Sequence, residues 1–393
     1  MQHYGSLSAG SGSRRARSSS IPARPYIFAI GQINLDGATI AGSLICDRST
    51  LIFKQHPDDI EFPGNPREVF RAVHLDVRGI VSFSEVFVEG GVCLYQAKIG
   101  GNLNCDGSRF SNRGNTALLL TGIKIGGAVF LARRFLAIGQ VNLEFSEIGG
   151  SLNCEGGLIV NCPPARVASD QPPALNLESA RVKGAVYLKR WCVVIGRVHL
   201  HSTEIGGHLD CSGGRFINIG ACAILANHAR ILNGVLLRDG FEARGDVRLF
   251  AAFVAGNLEC TRGTFSYESG NALDVERAHV IGHIFLNGGF NSEGTVNLCA
   301  TTIDGNVICD RGHFASAAAT AVQMERMDVT GHLSLSDGFR AEGTVSLLRA
   351  RIGGNLGCLG GQFSAPERSP SADVPRYALQ AESSTIGGSA CLS

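Results

Sequence analysis

Three sets of side chains in this 393-residue chain have the types to do chemistry. The first is thiol. Of thirteen cysteines, six close the same phrase, Ile/Val-x-Gly-x-Leu/Val-x-Cys: Cys105, Cys154, Cys211, Cys260, Cys309 and Cys358, with an earlier copy ending at Cys46. Thiols in register can pair as disulfides or gather a soft metal ion. The second set is His199 and His201, which flank Leu200, with Asn176 and Glu178 at the matching phase upstream. Two imidazoles and a carboxylate can hold a divalent cation. The third is the run His56, Asp58, Asp59 and Glu61 in a proline-rich stretch. Paired carboxylates of that kind suit acid–base cleavage of a polymer such as a glycan. No phosphate-cradling glycine loop, nucleophile elbow or His-Glu-x-x-His motif is present.

The elements that would position these groups follow from the spacing. The six ladder cysteines stand 49, 57, 49, 49 and 49 residues apart, and Phe or Ile follows each one five residues later. Self-similarity at a fixed period signals stacked units, none able to bury its apolar face alone. Each 49-residue unit divides into coils of 23 and 26 residues, as in 283–305 and 257–282. Within a coil, apolar and polar residues alternate over three to five positions, as in Val296-Asn297-Leu298. Period two means short strands with one face buried. Helical spacing is absent, and the 51 glycines mark corners.

The fold expected is therefore all-β, a single parallel β-solenoid of about thirteen coils over 27–393. At ~4.8 Å per coil the rod is roughly 60 Å long. Proline agrees, since a central ladder strand excludes it. The prolines lie in the arm at 1–26 and in insertions near 52–70, 160–173 and 364–376. All three insertions fall at one phase, so one edge of the rod carries loops.

Two phrases, Ile99-Gly100-Gly101-Asn102-Leu103-Asn104-Cys105 and Ala350-Arg351-Ile352-Gly353-Gly354, carry a family likeness. The chain resembles the pentapeptide-repeat-like β-solenoid proteins of bacteria. The resemblance implies a right-handed β-helix acting through protein–protein contact, with no catalytic residue common to the family. The strict Ala-Asp/Asn-Leu-x-x tandem is missing, and coils of 23 and 26 exceed that family's 20.

The repeat also judges the three chemical candidates. Ladder cysteines two coils apart stand ~9.6 Å from one another, beyond the ~7 Å that a disulfide spans. Leu131, Leu188, Leu237, Leu286 and Leu335 stand between them. Buried small hydrophobes are the expected role, with Phe110, Phe216, Phe265, Phe314 and Phe363 as core fillers. His199 and His201 are expected on an open, solvated face. His56, Asp58, Asp59 and Glu61 read as a charged loop without a matching acidic ladder.

Binding is a better expectation than catalysis. The middle residue of the first strand in the 23-residue coils runs Phe130, Tyr187, Leu236, Phe285 at an outward phase, flanked by Ser82 and Ser334. An outward apolar strip of that kind marks a partner surface, unless the N-terminal arm or a loop covers it. Cys391 aligns with Phe130 and Phe285, leaving a coil end as an edge strand open to self-association or a capping partner.

Charge and composition narrow the rest. Net charge is +1; residues 1–25 hold Arg14, Arg15, Arg17 and Arg24 with no acid, leaving 31 basic against 34 acidic groups beyond them. That near-neutral body argues against a nucleic-acid groove. No apolar stretch approaches the ~18–20 residues that span a bilayer, and no secretory signal core is present. The expected protein is a non-catalytic cytoplasmic interaction scaffold of β-solenoid type, without cofactor or metal, and its partner is unidentified. The alternatives are a polymer built through coil ends, a polymer-cleaving β-helix enzyme, and an effector secreted by a leader within 1–25.

Overall fold

The computed structural model describes residues 27–53, 67–161, 171–365 and 377–392. Among them the chain is strand and turn throughout, with no helix. The strands stack in parallel into three sheets of 20, 14 and 14, here called A, B and C. One coil runs Leu136–Asn142 in sheet A, Glu147–Ile148 in sheet B and Leu152–Asn153 in sheet C. Fourteen strands in B and in C give thirteen coil steps, as the repeat predicts. The fold is a β-solenoid.

Coil length alternates as expected. Sheet C strands begin at Leu209, Val235, Leu258, Ile284, Val307, Leu333 and Leu356, steps of 26 and 23 residues. The three extra residues have one location. Ser111 pairs with Ile138 and Thr116 with Gln140, so 112–115 swell out of sheet A opposite the single Gly139. Gly139 sits at φ +122°, and a Cβ there would lie 2.6 Å from the Asn112 carbonyl oxygen. Only glycine fits so tight a bulge.

The described flanks of the three insertions stand at this same phase: Thr50–Ile52 and Glu68–Arg71, Leu158–Val160 and Leu175–Asn176, Gln362–Ser364 and Leu379–Gln380 pair with the sheet A strands of the neighbouring coil on either side of its glycine. Residues 1–26, which include the arginine-rich arm, lie outside the described residues.

Two ladders fill the interior. Cys105, Cys154, Cys211, Cys260 and Cys309 are fully buried, as are Leu131, Leu188, Leu286 and Leu335 in the alternate coils. The cysteines described are unpaired thiols. Beside them runs an aromatic stack, Phe216–Phe241–Phe265–Phe290–Phe314–Phe339–Phe363, with successive ring centroids 5.0–5.4 Å apart. A second stack joins Phe70, Phe83, Phe110 and Phe135. Each such pair contributes ~0.5–1.5 kcal/mol beyond the apolar area it buries. Between the two stacks the aromatic contact lapses: Ile159 pairs with Ala137 at the place that Phe110 and Phe216 hold, and Cys192 fills the corner place of Phe135.

A seam of side chains ties coil to coil at the B-to-C corner. Asn257 Oδ1 accepts from the His283 N–H at 3.0 Å, and His283 Nδ1 accepts from the Asn306 N–H at 2.9 Å. Asn306 Oδ1 then accepts from His332 at 2.7 Å, and His332 Nδ1 from Asn355 at 2.8 Å. Acceptance at Nδ1 requires the neutral ring carrying its proton on Nε2. Each link satisfies a backbone N–H that the glycine corner leaves over.

Two predictions follow from this interior. Replacing His283 by Asn keeps an acceptor of the kind used in alternate coils, whereas Leu orphans the Asn306 N–H. Thermal denaturation should therefore find His283→Asn near the parent and His283→Leu about 1–3 kcal/mol less stable. The second concerns pH. Burial pushes the thiols of Cys46 and Cys93 up to about 11 and that of Cys192 up to about 12, and raises Cys154 and Cys211 well above the ordinary range. Unfolded thiols ionise near about 8.5, so above that pH the unfolded chain binds fewer protons than the folded one. Stability should hold at neutral pH and fall above about pH 9, by roughly 1.4 kcal/mol per pH unit for each such thiol. Cys260→Ala with Cys309→Ala should shallow that fall, and a denaturation midpoint unchanged up to about pH 10 would contradict it.

Candidate functional site

Sheet C holds the residues expected to form a partner surface. Phe130, Tyr187, Leu236 and Phe285 occupy the second position of their strands, the outward one, in a single register line. The line is not continuous. Between them stand Asn153, Asp210 and Glu259, with Ile308 beyond Phe285. Nor are the four fully solvated: Phe130, Tyr187 and Phe285 are half-buried and Leu236 is buried. Long neighbouring side chains lie across them. Lys189 Nζ sits 4.5 Å from the Tyr187 ring centroid while donating to Asp210 at 2.8 Å. Arg238 donates to Glu259 in the same manner one repeat along.

This pairing neutralises the charges on the face. Burial raises the Asp210 carboxyl, but hydrogen bonds from Lys189 and Ser212 outweigh it and leave the group below the ordinary carboxylate range. The surface is thus apolar anchors at a two-coil spacing of ~9.6 Å, set among matched ion pairs.

The corner that leads from sheet C back to sheet A carries the sharpest departure from local preference. In five 23-residue coils this corner is a turn whose two central residues both have positive φ. The pairs are Arg133-Arg134 (53°, 73°), Arg190-Trp191 (47°, 72°), Asp239-Gly240 (54°, 88°), Gly288-Gly289 (59°, 99°) and Asp337-Gly338 (50°, 85°). Such type I′ geometry demands Asn, Asp or Gly. The last three obey. The first two place Arg134 and Trp191 where the others have glycine, at about 1–2 kcal/mol for a side chain in that region.

Strain of this kind points to a use for the side chain. Trp191, the one tryptophan in the chain, is 83 % exposed. It stands two residues from Lys189, whose ammonium covers Tyr187. Arg190 is held by Glu155 at 3.0 Å and Arg133 by Asp106 at 3.4 Å. An indole and guanidinium groups thereby border the Phe130–Tyr187 end of the apolar line.

The remaining candidates fare differently. His199 is not on an open face: its side chain is 15 % exposed, with Nδ1 3.7 Å from Glu178. It is recessed in sheet A, in register between Asn176 and Leu225. Burial, with Arg197 nearby, pushes the imidazole below its ordinary range against the pull of Glu178, so the ring is neutral at pH 7. His201 lies with its ring 6.2 Å from that of His199 and stacks edge-on with His228 at 5.5 Å. Among the described residues no three His, Cys, Asp or Glu side chains are placed to hold a metal ion. His56, Asp58, Asp59 and Glu61 lie outside the described residues.

Sequence reading passed over Trp191. A signal was available: aligning the five corners sets Trp beside three glycines. It also passed over a groove on sheet B, taken up below.

The fold and this face define a class: a parallel β-solenoid whose one flat side carries spaced apolar anchors. The chain matches no family model, no curated protein and no solved structure.

If Trp191 is held at a cost for contact rather than for folding, Trp191→Gly should stabilise the protein. After allowing for glycine's greater unfolded freedom, the gain is about 0.5–1 kcal/mol. A midpoint in urea lower than the parent's would show instead that the indole supports the fold.

Proposed function

We propose that this protein is a non-catalytic interaction scaffold, akin to pentapeptide-repeat-like solenoids, and that its partner is another protein seated on sheet C. The observation that carries this reading is Trp191, exposed and backbone-strained beside the Phe130–Tyr187 anchors. Aromatic and arginine side chains at the centre of a patch dominate protein interfaces energetically. Apolar residues among neutralised charges suit a protein surface better than a polyanion, since Lys189 and Arg238 are already engaged by Asp210 and Glu259.

A reducing, cytoplasmic setting fits the twelve described cysteines, all free. Among the described residues no helix is long and apolar enough to cross a membrane.

The single tryptophan supplies its own assay. Free protein should emit as a solvated indole, and partner binding should shift the emission to shorter wavelength. Cross-linking capture from native lysate should recover the same protein with the parent and lose it with Trp191→Gly and with Tyr187→Asp. Recovery undiminished by both substitutions would reject sheet C as the docking face. Self-association through coil ends is the competing reading, and sedimentation that grows with concentration would favour it.

A further inference from the structure

Sheet B carries a groove of about 900 Å³ along its outer face. Its shape comes from one register position, the residue after the inward Val or Ile of each two-residue strand. In five successive coils this position is held by Arg78, Gly100, Gly126, Gly149 and Lys183. The three glycines stand where packing forbids a side chain. A Cβ on any of them would lie 2.2–2.3 Å from the carbonyl oxygen of the coil before. The result is a bare backbone floor closed at each end by a cation. Four coil steps separate Arg78 from Lys183, about 19 Å. Leu232 occupies the same position two coils beyond Lys183.

The wall beside this floor mixes both signs, running Asp76, Lys98, Lys124, Glu147, Arg181 and Glu204. Lys124 donates to Glu147 at 2.9 Å, and this bond, with further help from Arg181 and Lys183, draws the Glu147 carboxyl below its ordinary range despite a small opposing burial effect. Arg181 lies 3.7 Å from Glu204. Those cations are engaged. Arg78, Lys98 and Lys183 form no ion pair among the described residues, and all three are exposed along the groove.

We infer that this groove binds an extended acidic peptide segment of a partner protein, lying along the rod axis with two carboxylates about six residues apart over Arg78 and Lys183. The span fixes the separation, because an extended chain covers about 3.3 Å per residue. Gly100, Gly126 and Gly149 let the peptide backbone lie close on the floor, and Lys98 offers a third contact between the ends. A uniformly charged polyanion fits less well, since Asp76, Glu147 and Glu204 on the wall would repel it at set intervals. The inference is independent of sheet C, which faces another side of the coil.

The test uses the full chain and dye-labelled peptides read by fluorescence anisotropy. One peptide has two Glu separated by five Gly/Ser residues, a second has the two Glu adjacent, and a third has none. The spaced peptide should bind at least about tenfold more tightly than the other two, and more weakly as salt is raised. Arg78→Glu with Lys183→Glu should abolish that preference. Both side chains are exposed, and circular dichroism with a thermal melt would verify that the strand content and stability are kept. Trp191→Gly should bind the spaced peptide like the parent, which separates this site from the sheet C face. Equal binding of all three peptides, or undiminished binding by the charge-reversed variant, would overturn the inference. So would tighter binding of a single-stranded oligonucleotide or a sulfated glycan of similar length.

Discussion

Everything in this molecule rests on one coil donating its backbone hydrogen bonds to the next. Strands of two or three residues would not persist alone, since isolated pairs of strands are marginal in water. Here each is held by strands of adjacent coils, in unbroken register through sheets B and C and with the recurring bulge in sheet A. That constraint dictates the interior. An inward side chain meets the same position of adjacent coils a few ångströms away, so like must stack on like or on a complement. The cysteine–leucine ladder and the ring stack are two solutions to that demand, and the Asn–His seam answers the same repeat at a corner near solvent. Each also explains a piece of the composition: unpaired buried thiols among the described residues, phenylalanines at fixed phase, and histidines that accept backbone hydrogen bonds.

The same constraint frees the outside. Because stability comes from the repeated interior and the corners, outward positions are free to vary from coil to coil. Sheet C uses that freedom for large apolar residues at every second step, and sheet B for a row of charged side chains of both signs. The two-coil alternation, built from 23 and 26 residues, decides which outward residues recur together. Phe130, Tyr187, Leu236 and Phe285 all ride on the shorter coils, whereas Asn153, Asp210 and Glu259 ride on the longer ones.

How much of this was legible beforehand depends on whether a residue obeys the period. The coil count, the alternation of lengths and the inward thiols all express repetition, and the spacing of Cys105 to Cys358 sufficed. The outward phase of Phe130 and Phe285 was legible for the same reason. What the spacing could not convey was cover. Leu236 is buried, and Tyr187 is capped because Lys189 folds back toward Asp210 on the adjacent coil. That is a contact between residues about twenty positions apart, invisible to a period-two pattern. His199 misled for a related reason: its phase is outward, yet Glu178 of the neighbouring coil and Arg197 just before it on its own coil crowd it. Trp191 and the sheet B groove are exceptions to the repeat. Exceptions emerge only when equivalent positions are set side by side in space.

The lapse in the ring stack has a mechanical meaning. A rod whose units touch only their neighbours is as strong as its weakest joint. Phe is replaced by Ile159 in one coil and by Cys192 in the next. That joint gives up the aromatic contact that every step from Phe216 to Phe363 keeps. Under tension the tube is expected to part there first, leaving a carboxy-terminal segment that keeps the unbroken stack from Phe216 to Phe363. Trp191 and its arginine neighbours straddle the breakpoint, so a partner gripping both sides of it would act as a splint.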